Sequence, residues 1–259
     1  MNQFETCFNN FKGRKELLEN IRRYSMYPIM FYRTNVSIHS RRMQWIAEEL
    51  LPHLSDMQII PEKLILLCLV HDDPEIITGD HQLGRKLYTM SEQELERIEH
   101  DEKRACNILS SIWPNNINGY SYRNLLDESC DKPTPEGKIM KLIDRLDAFE
   151  ESLHEIYSGN SCFLRHPELP EGVNPVQTYT KILSESASNP LLRKILDGRH
   201  ALLSVPVEID QEQIVRNSSP KTKDSIYEVT NHSHYDAWRQ ITIKYGREAG
   251  IRQLTTKLE

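Results

Sequence analysis

No run of apolar residues in this chain is long enough to cross a bilayer. The best candidate, Leu64 to Val70, falls far short of the roughly 20 residues that a spanning helix needs. The opening MNQFETCFNNFKGRK lacks the ordered basic, apolar and small-residue regions of a secretion signal, which favours the cytosol. An excess of positive charge is also missing. With 32 basic and 38 acidic residues the formal charge is −6, so the chain as a whole is no glove for nucleic acid, although a local basic pocket for a small anion stays open. The five cysteines, Cys7, Cys68, Cys106, Cys130 and Cys162, are odd in number and scattered. No pair has zinc-knuckle or redox spacing, so neither a disulfide framework nor cysteine chemistry is expected. There is no Walker loop, no glycine-rich dinucleotide fingerprint, no Gly-x-Ser-x-Gly elbow, no repeat and no low-complexity tract.

What is present is globular. Hydrophobic residues make up 38% and charged residues 27% of 259, enough for one substantial core. The apolar positions mostly recur with helical spacing. His39, Met43, Ile46, Leu50 and Leu54 step along one face of a helix from about Ser37. Pro61 stands where a first-turn proline belongs, opening a nearly all-apolar helix that runs through His71. Ser91 and Glu94 have capping-box spacing for a helix that should stop before Pro114. Pro135 opens another, to about Tyr157, and Asn189-Pro190 reads as a cap and first turn. The polar stretch from Ser204 to Thr230 reads as a loop or a short strand, and a last helix is expected from about Tyr235. The expected fold is all-α. A helical core reaches about residue 166, and 167–259 form a mainly helical extension packed on it.

Chemistry enters where apolar helices place imidazoles and carboxylates. His39 shares the inward face of its helix, where a lone histidine is more often a satisfied core residue than a ligand. His71-Asp72, however, follows seven apolar residues in LILLCLVHDDPEIITGD, so a second imidazole and an acid emerge from the core. An unpaired buried carboxylate costs several kcal/mol, and a cation is the economical partner. Asp144, in KIMKLIDRLDAFEE, flanks an apolar arc and can reach a cleft between helices. Two His nitrogens and two Asp oxygens suit one divalent ion among Mn, Co, Fe, Ni and Zn. A His-Asp dipeptide alone says little: His100-Asp101 lies in the charged run ELERIEHDEKR and reads as a solvated face.

At these residues the sequence resembles the HD-domain 5′-deoxynucleotidases and related nucleotide phosphohydrolases, over about residues 12–160. RTNVSIHS is similar to the family segment with the first metal histidine. HDDPEIITGD is similar to its His-Asp-x-x-Glu-x-x-x-Gly-Asp signature, with Lys86 matching a following lysine. KLIDRLDAF is similar to the helix bearing the last metal aspartate, and Gly159-Asn160 also fits. The resemblance implies an HD-type helical bundle in which His39, His71, Asp72 and Asp144 take the metal positions. It implies that Glu75 serves in water activation or proton transfer beside Asp72, and that Asp80 contacts the nucleotide sugar. Arg23, followed by Tyr24, is the nearest match to the family's phosphate-holding arginine. Its spacing departs by about a residue, with Arg22 or Arg33 as alternatives.

Blander readings compete for several of these residues. Glu75 could simply suit the first turn of a helix after Pro74, and Asp80 could be a turn or cap residue. Arg22-Arg23 and Arg41-Arg42 read mainly as solvated faces, with one or two arginines entering the cleft. Asp147 reads as a surface or second-sphere carboxylate in preference to a ligand of a second metal. His81 reads as loop. His154, His166, His200, His232 and His234 have no partner spacing, and Trp45, Trp113 and Trp238 read as packing anchors. The expected activity is hydrolysis of a small nucleotide's phosphate ester, with a 5′-(deoxy)nucleoside monophosphate leading. A triphosphohydrolase or cyclic phosphodiesterase on the same scaffold, a di-iron oxygenase relative and a nucleotide-binding regulator without turnover stay open. The expected partner is the nucleotide alone, with no nucleic acid or membrane, and a homo-oligomer is left open.

Overall fold

Proline, cap residues and apolar spacing mark the helix starts, and the structure follows them. It is a computed structural model that describes residues 4, 6–32, 34–193, 195–196, 206–209 and 232–253. A short helix α1 (Arg14–Glu19) precedes α2 (Val36–Leu50), whose cap Asn35 accepts a hydrogen bond from the Ile38 amide at 2.9 Å. A 3-10 turn at Leu51–His53 shortens the helix expected to reach Leu54. Pro61 opens α3 (Pro61–Val70), in which every residue from Leu64 to Val70 is buried. Burying each such side chain contributes about 1.5–3 kcal/mol, which fixes α3 as a central rod of the bundle. Then come α4 (Glu75–Thr78), α5 (Leu83–Tyr88) and α6 (Glu92–Ile112), the last opened by the complete Ser91/Glu94 capping box.

A two-residue hairpin, β1 (Asn116–Ile117) with β2 (Tyr120–Ser121), turns on Asn118-Gly119, both at positive φ as such a tight turn requires. It leads into α7 (Tyr122–Asp131) and the 23-residue α8 (Pro135–Tyr157), capped by the Thr134 hydroxyl. Here Gly137 is needed for close approach, since a Cβ on it would lie 3.0 Å from the Lys132 backbone. From Leu142 to Tyr157 α8 is buried almost all round. It packs on α2, α3 and α7, and also on α9 (Pro175–Ser186) and α10 (His232–Ala249). Residues 190–193 are helical, and β3 (Pro206–Ile209) pairs antiparallel with β4 (Gly250–Gln253). The remainder of the Ser204–Thr230 stretch lies outside the described residues. Trp45, Trp113 and Trp238 are all buried, as packing anchors should be. Among the described residues no helix is long and apolar enough to cross a membrane.

Candidate metal centre and substrate cleft

The C-terminal end of α3 and the inner face of α2 bring three of the expected residues together. His71 closes α3, its amide bonded to the Leu67 carbonyl, so the chain leaves the core at this point. Its Nδ1 lies 3.1 Å from the Cys68 carbonyl oxygen, which can only accept, so Nδ1 carries the proton. His39 is fully buried on α2, and its Nδ1 donates to Asp147 Oδ2 at 2.6 Å. Both rings therefore turn Nε2 toward the same point. Asp72 stands between them, 3.3 Å from His39 Nε2 and 3.1 Å from His71 Nε2. None of these contacts has hydrogen-bond geometry, and both buried Nε2 atoms lack a hydrogen-bond partner.

The ligand atoms of His39, His71 and Asp72 lie within 4.8 Å of one another. Nitrogen and oxygen ligands held at about 2.0–2.2 Å from one ion sit roughly 3 Å apart, so these residues fit a divalent cation. Asp144 stands at the edge of this group. Its Oδ1 is 3.4 Å from His39 Nε2, while Oδ2 is engaged by Lys141 Nζ at 2.5 Å. Burial and Arg23 press His39 toward neutrality, but Asp144, Asp147 and Asp72 outweigh them and raise it to about 10. Asp72 and Asp144 are held well below the usual carboxylate range against the pull of burial, Asp72 by His71 and His39 and Asp144 by Lys141 and His39. The group thus attracts positive charge.

Glu75 begins α4 and faces the same cleft. Burial, then Asp72 and Asp80, push its carboxyl well above the ordinary range, opposed by Arg23, and its buried Oε2 has no hydrogen-bond partner. Asp80 follows Gly79, whose φ of 75° turns the chain back into the cleft, and burial raises Asp80 too. Arg23 is buried and lines the cleft, its Nε 3.3 Å from Glu151 Oε2. The next residue, Tyr24, sits at φ 51°, uncommon for a bulky side chain, and its hydroxyl is tied to the Ala148 carbonyl at 2.9 Å. Arg22 is exposed, and Arg33 lies outside the described residues. Lys86 lines the outer cleft but pairs with Glu102 at 3.1 Å, and His81 lies in loop at the rim. The cavity measures about 470 Å³.

One arginine reading needs correction. Arg42 is no solvated side chain: it is fully buried, with Nε 2.6 Å and Nη2 2.8 Å from the two Asp147 oxygens and Nη2 2.9 Å from Glu151. Arg23 is likewise buried. Asp147 is a fully buried carboxylate behind His39, with no surface exposure. Burial would push Asp147 up, but Arg42 and His39 hold it below the ordinary range. His154 also has partners, stacked on Trp238 and bonded to Thr242. Sequence reasoning passed over Asp73, which is buried and held by Arg14 (Nη2 at 2.6 Å) and by the Tyr122 hydroxyl at 2.8 Å. One signal was readable: Arg42 and Asp147 each lie three residues, about one helical turn, beyond His39 and Asp144.

Comparison with known proteins gives the family and the fold. Residues 11–171 match the family described as 5′-deoxynucleotidase YfbR-like. A 5′-deoxynucleotidase of Pectobacterium atrosepticum is 31% identical over 151 residues, covering 56% of this chain and 74% of that protein. One from Erwinia tasmaniensis is 30% identical over 152 residues, covering 57% and 75%. An HD-domain phosphohydrolase of Listeria innocua shares the fold with a TM-score of 0.56 at 22% identity, over 73% of this chain and 85% of that one. A Magnetospirillum magnetotacticum protein described as a predicted metal-dependent phosphohydrolase aligns over 94% of both chains, with a TM-score of 0.50 at 17% identity. The family match spans well over half of the sequence and takes in the whole His-Asp cluster, so the chain belongs to the YfbR-like 5′-deoxynucleotidase family.

Proposed function

We propose that the chain hydrolyses the phosphate ester of a 5′-deoxynucleoside monophosphate, giving the deoxynucleoside and inorganic phosphate. In this reading His39, His71, Asp72 and Asp144 hold one divalent cation, drawn from Mn, Co, Fe, Ni and Zn. The observation that carries the reading is the pair of buried, unpartnered Nε2 atoms aimed at one point beside Asp72. A divalent cation held there supplies a Lewis acid and brings the pKa of water toward neutrality.

The protein's own groups do the rest. Glu75 orients the attacking water through its buried carboxyl and passes the proton that water loses to the departing 5′-oxygen of the sugar. Arg23 offsets charge on the phosphoryl oxygens, with Arg33 as the alternative. Asp80 accepts a hydrogen bond from the sugar, and Lys86 meets the nucleotide at the outer cleft. The curated relatives' names supply the monophosphate and the deoxy sugar.

The test is to strip the protein of metal, reload it with each ion in turn, and present deoxy- and ribonucleoside mono-, di- and triphosphates and cyclic nucleotides. Free phosphate and deoxynucleoside from the monophosphate is the expected outcome. Release of pyrophosphate or triphosphate, or opening of the cyclic ester with the monophosphate left intact, would reject the proposal.

A further inference from the structure

Three charged side chains of α8 line the cleft beside Met140: Lys141, Asp144 and Arg145. Lys141 is spent on Asp144, at 2.5 Å. Arg145 is not spent. Among the described residues no carboxylate pairs with it and its guanidinium makes no hydrogen bond, although the side chain is half-buried. The other arginine of the cleft, Arg23, shares Glu151, and Lys86 shares Glu102. Arg145 therefore offers five donors in a rigid fork, and among the described residues no carboxylate receives them, although Asp144 feels its charge.

Its surroundings say where that fork lies. Tyr179 of α9 lines the same cavity and is largely buried. Burial pushes the Tyr179 hydroxyl up to about 12, and the charges that oppose this are Arg145 first and Arg23 second. Both guanidiniums thus lie near one phenol, Arg23 from the segment before α2 and Arg145 from the helix that carries Asp144. Helical geometry explains the second placement. Asp147 falls behind His39 on the α2 side of Asp144, whereas Arg145 is rotated about 100° the other way, toward the cavity and α9. A fork with two parallel N–H groups matches the oxygens of a phosphoryl group.

We infer that Arg145 is a second phosphoryl-binding residue, gripping the substrate's phosphate together with Arg23. The inference rests on the reading of the chain as a nucleotide phosphohydrolase, and it assigns the charge on α8 to the anion that such a substrate brings. Arg145 contacts bound phosphate and does not act through the cation.

The test uses the full chain loaded with metal, with inorganic phosphate as probe in calorimetry and the deoxynucleoside monophosphate in kinetics. Arg145→Met should weaken phosphate binding by about tenfold or more and raise KM by a similar factor, as the loss of a charged hydrogen-bonding group does. Metal content, thermal unfolding and affinity for the free deoxynucleoside should stay as they are. Arg145→Lys should recover part of the phosphate affinity, since charge returns without the fork. If Arg145→Met sheds metal, Arg145→Gln repeats the measurement with a neutral side chain of gentler character. Phosphate affinity within about twofold of the parent in the neutral variants overturns the inference. So does a parent that binds no phosphate. The two readings fail separately. A parent that binds phosphate through Arg145 yet hydrolyses no monophosphate sinks the substrate and keeps the anion site.

Discussion

The chain contains the same dipeptide twice, and the two copies have opposite fates. His71-Asp72 emerges from α3 behind seven buried apolar residues, and its side chains are only 4% and 17% exposed. His100-Asp101 lies within α6, 80% and 48% exposed, its charged atoms 3.8 Å apart. Four residues beyond the first histidine stands Glu75, and four beyond the second stands Arg104. The letters are alike, but only the first pair meets a second imidazole, His39, whose Nδ1–H donates to the buried Asp147. Water solvates the second pair from all sides and leaves it nothing to do. Burial, more than residue type, turns a carboxylate and an imidazole into a cation site, because only there does an unmatched charge cost several kcal/mol.

The contrast can be broken or sharpened by substitution. The largest effect belongs to Asp72→Ala, which should abolish metal retention and turnover while leaving helical circular dichroism in place. Asp101→Ala is its control and should shift stability by no more than about 0.5 kcal/mol with turnover unchanged. Equal metal content in the two variants would erase the distinction drawn here. Next comes Glu75→Gln, which should keep the metal and lower turnover by about a hundredfold, measured in single-turnover assays with a saturating ion. A variant that instead lost the ion would make Glu75 a ligand. Smaller again is Asp147→Asn. It removes the charge that fixes the His39 proton on Nδ1, and a competition titration with a chelator should show affinity down by about ten- to a hundredfold. An unchanged titration would make Asp147 a packing residue only.

Much of this was legible along the chain, for identifiable reasons. Caps and prolines announce themselves locally, so Ser91, Thr134, Pro61 and Pro135 mark the true starts of α6, α3 and α8. His71-Asp72 was legible because an apolar run led into it. Arg42, Asp147 and Glu151 were not, since periodicity assigns every charge to solvent. Their matching partners stand about a hundred residues apart in sequence, at 2.6 to 2.9 Å in space. Asp73 was hidden for the same reason: Arg14 and Tyr122, which hold it, come from helices on either side of the motif. Arg239, too, reaches from α10 to Glu49 at 3.0 Å and Glu150 at 2.5 Å, a pairing that no window on either segment could suggest.

Helix α8 sets its duties by angle: Asp144 faces the ligand cluster, Arg145 the cavity, Asp147 the back of His39, Glu150 the last helix and Glu151 the arginines of α2 and the preceding loop. Each added or deleted residue rotates all that follows by about 100°. Within this stretch the protein is therefore tolerant in letters and intolerant in length. A substitution disturbs one duty, but a single-codon insertion after Asp144 would misaim every later one together.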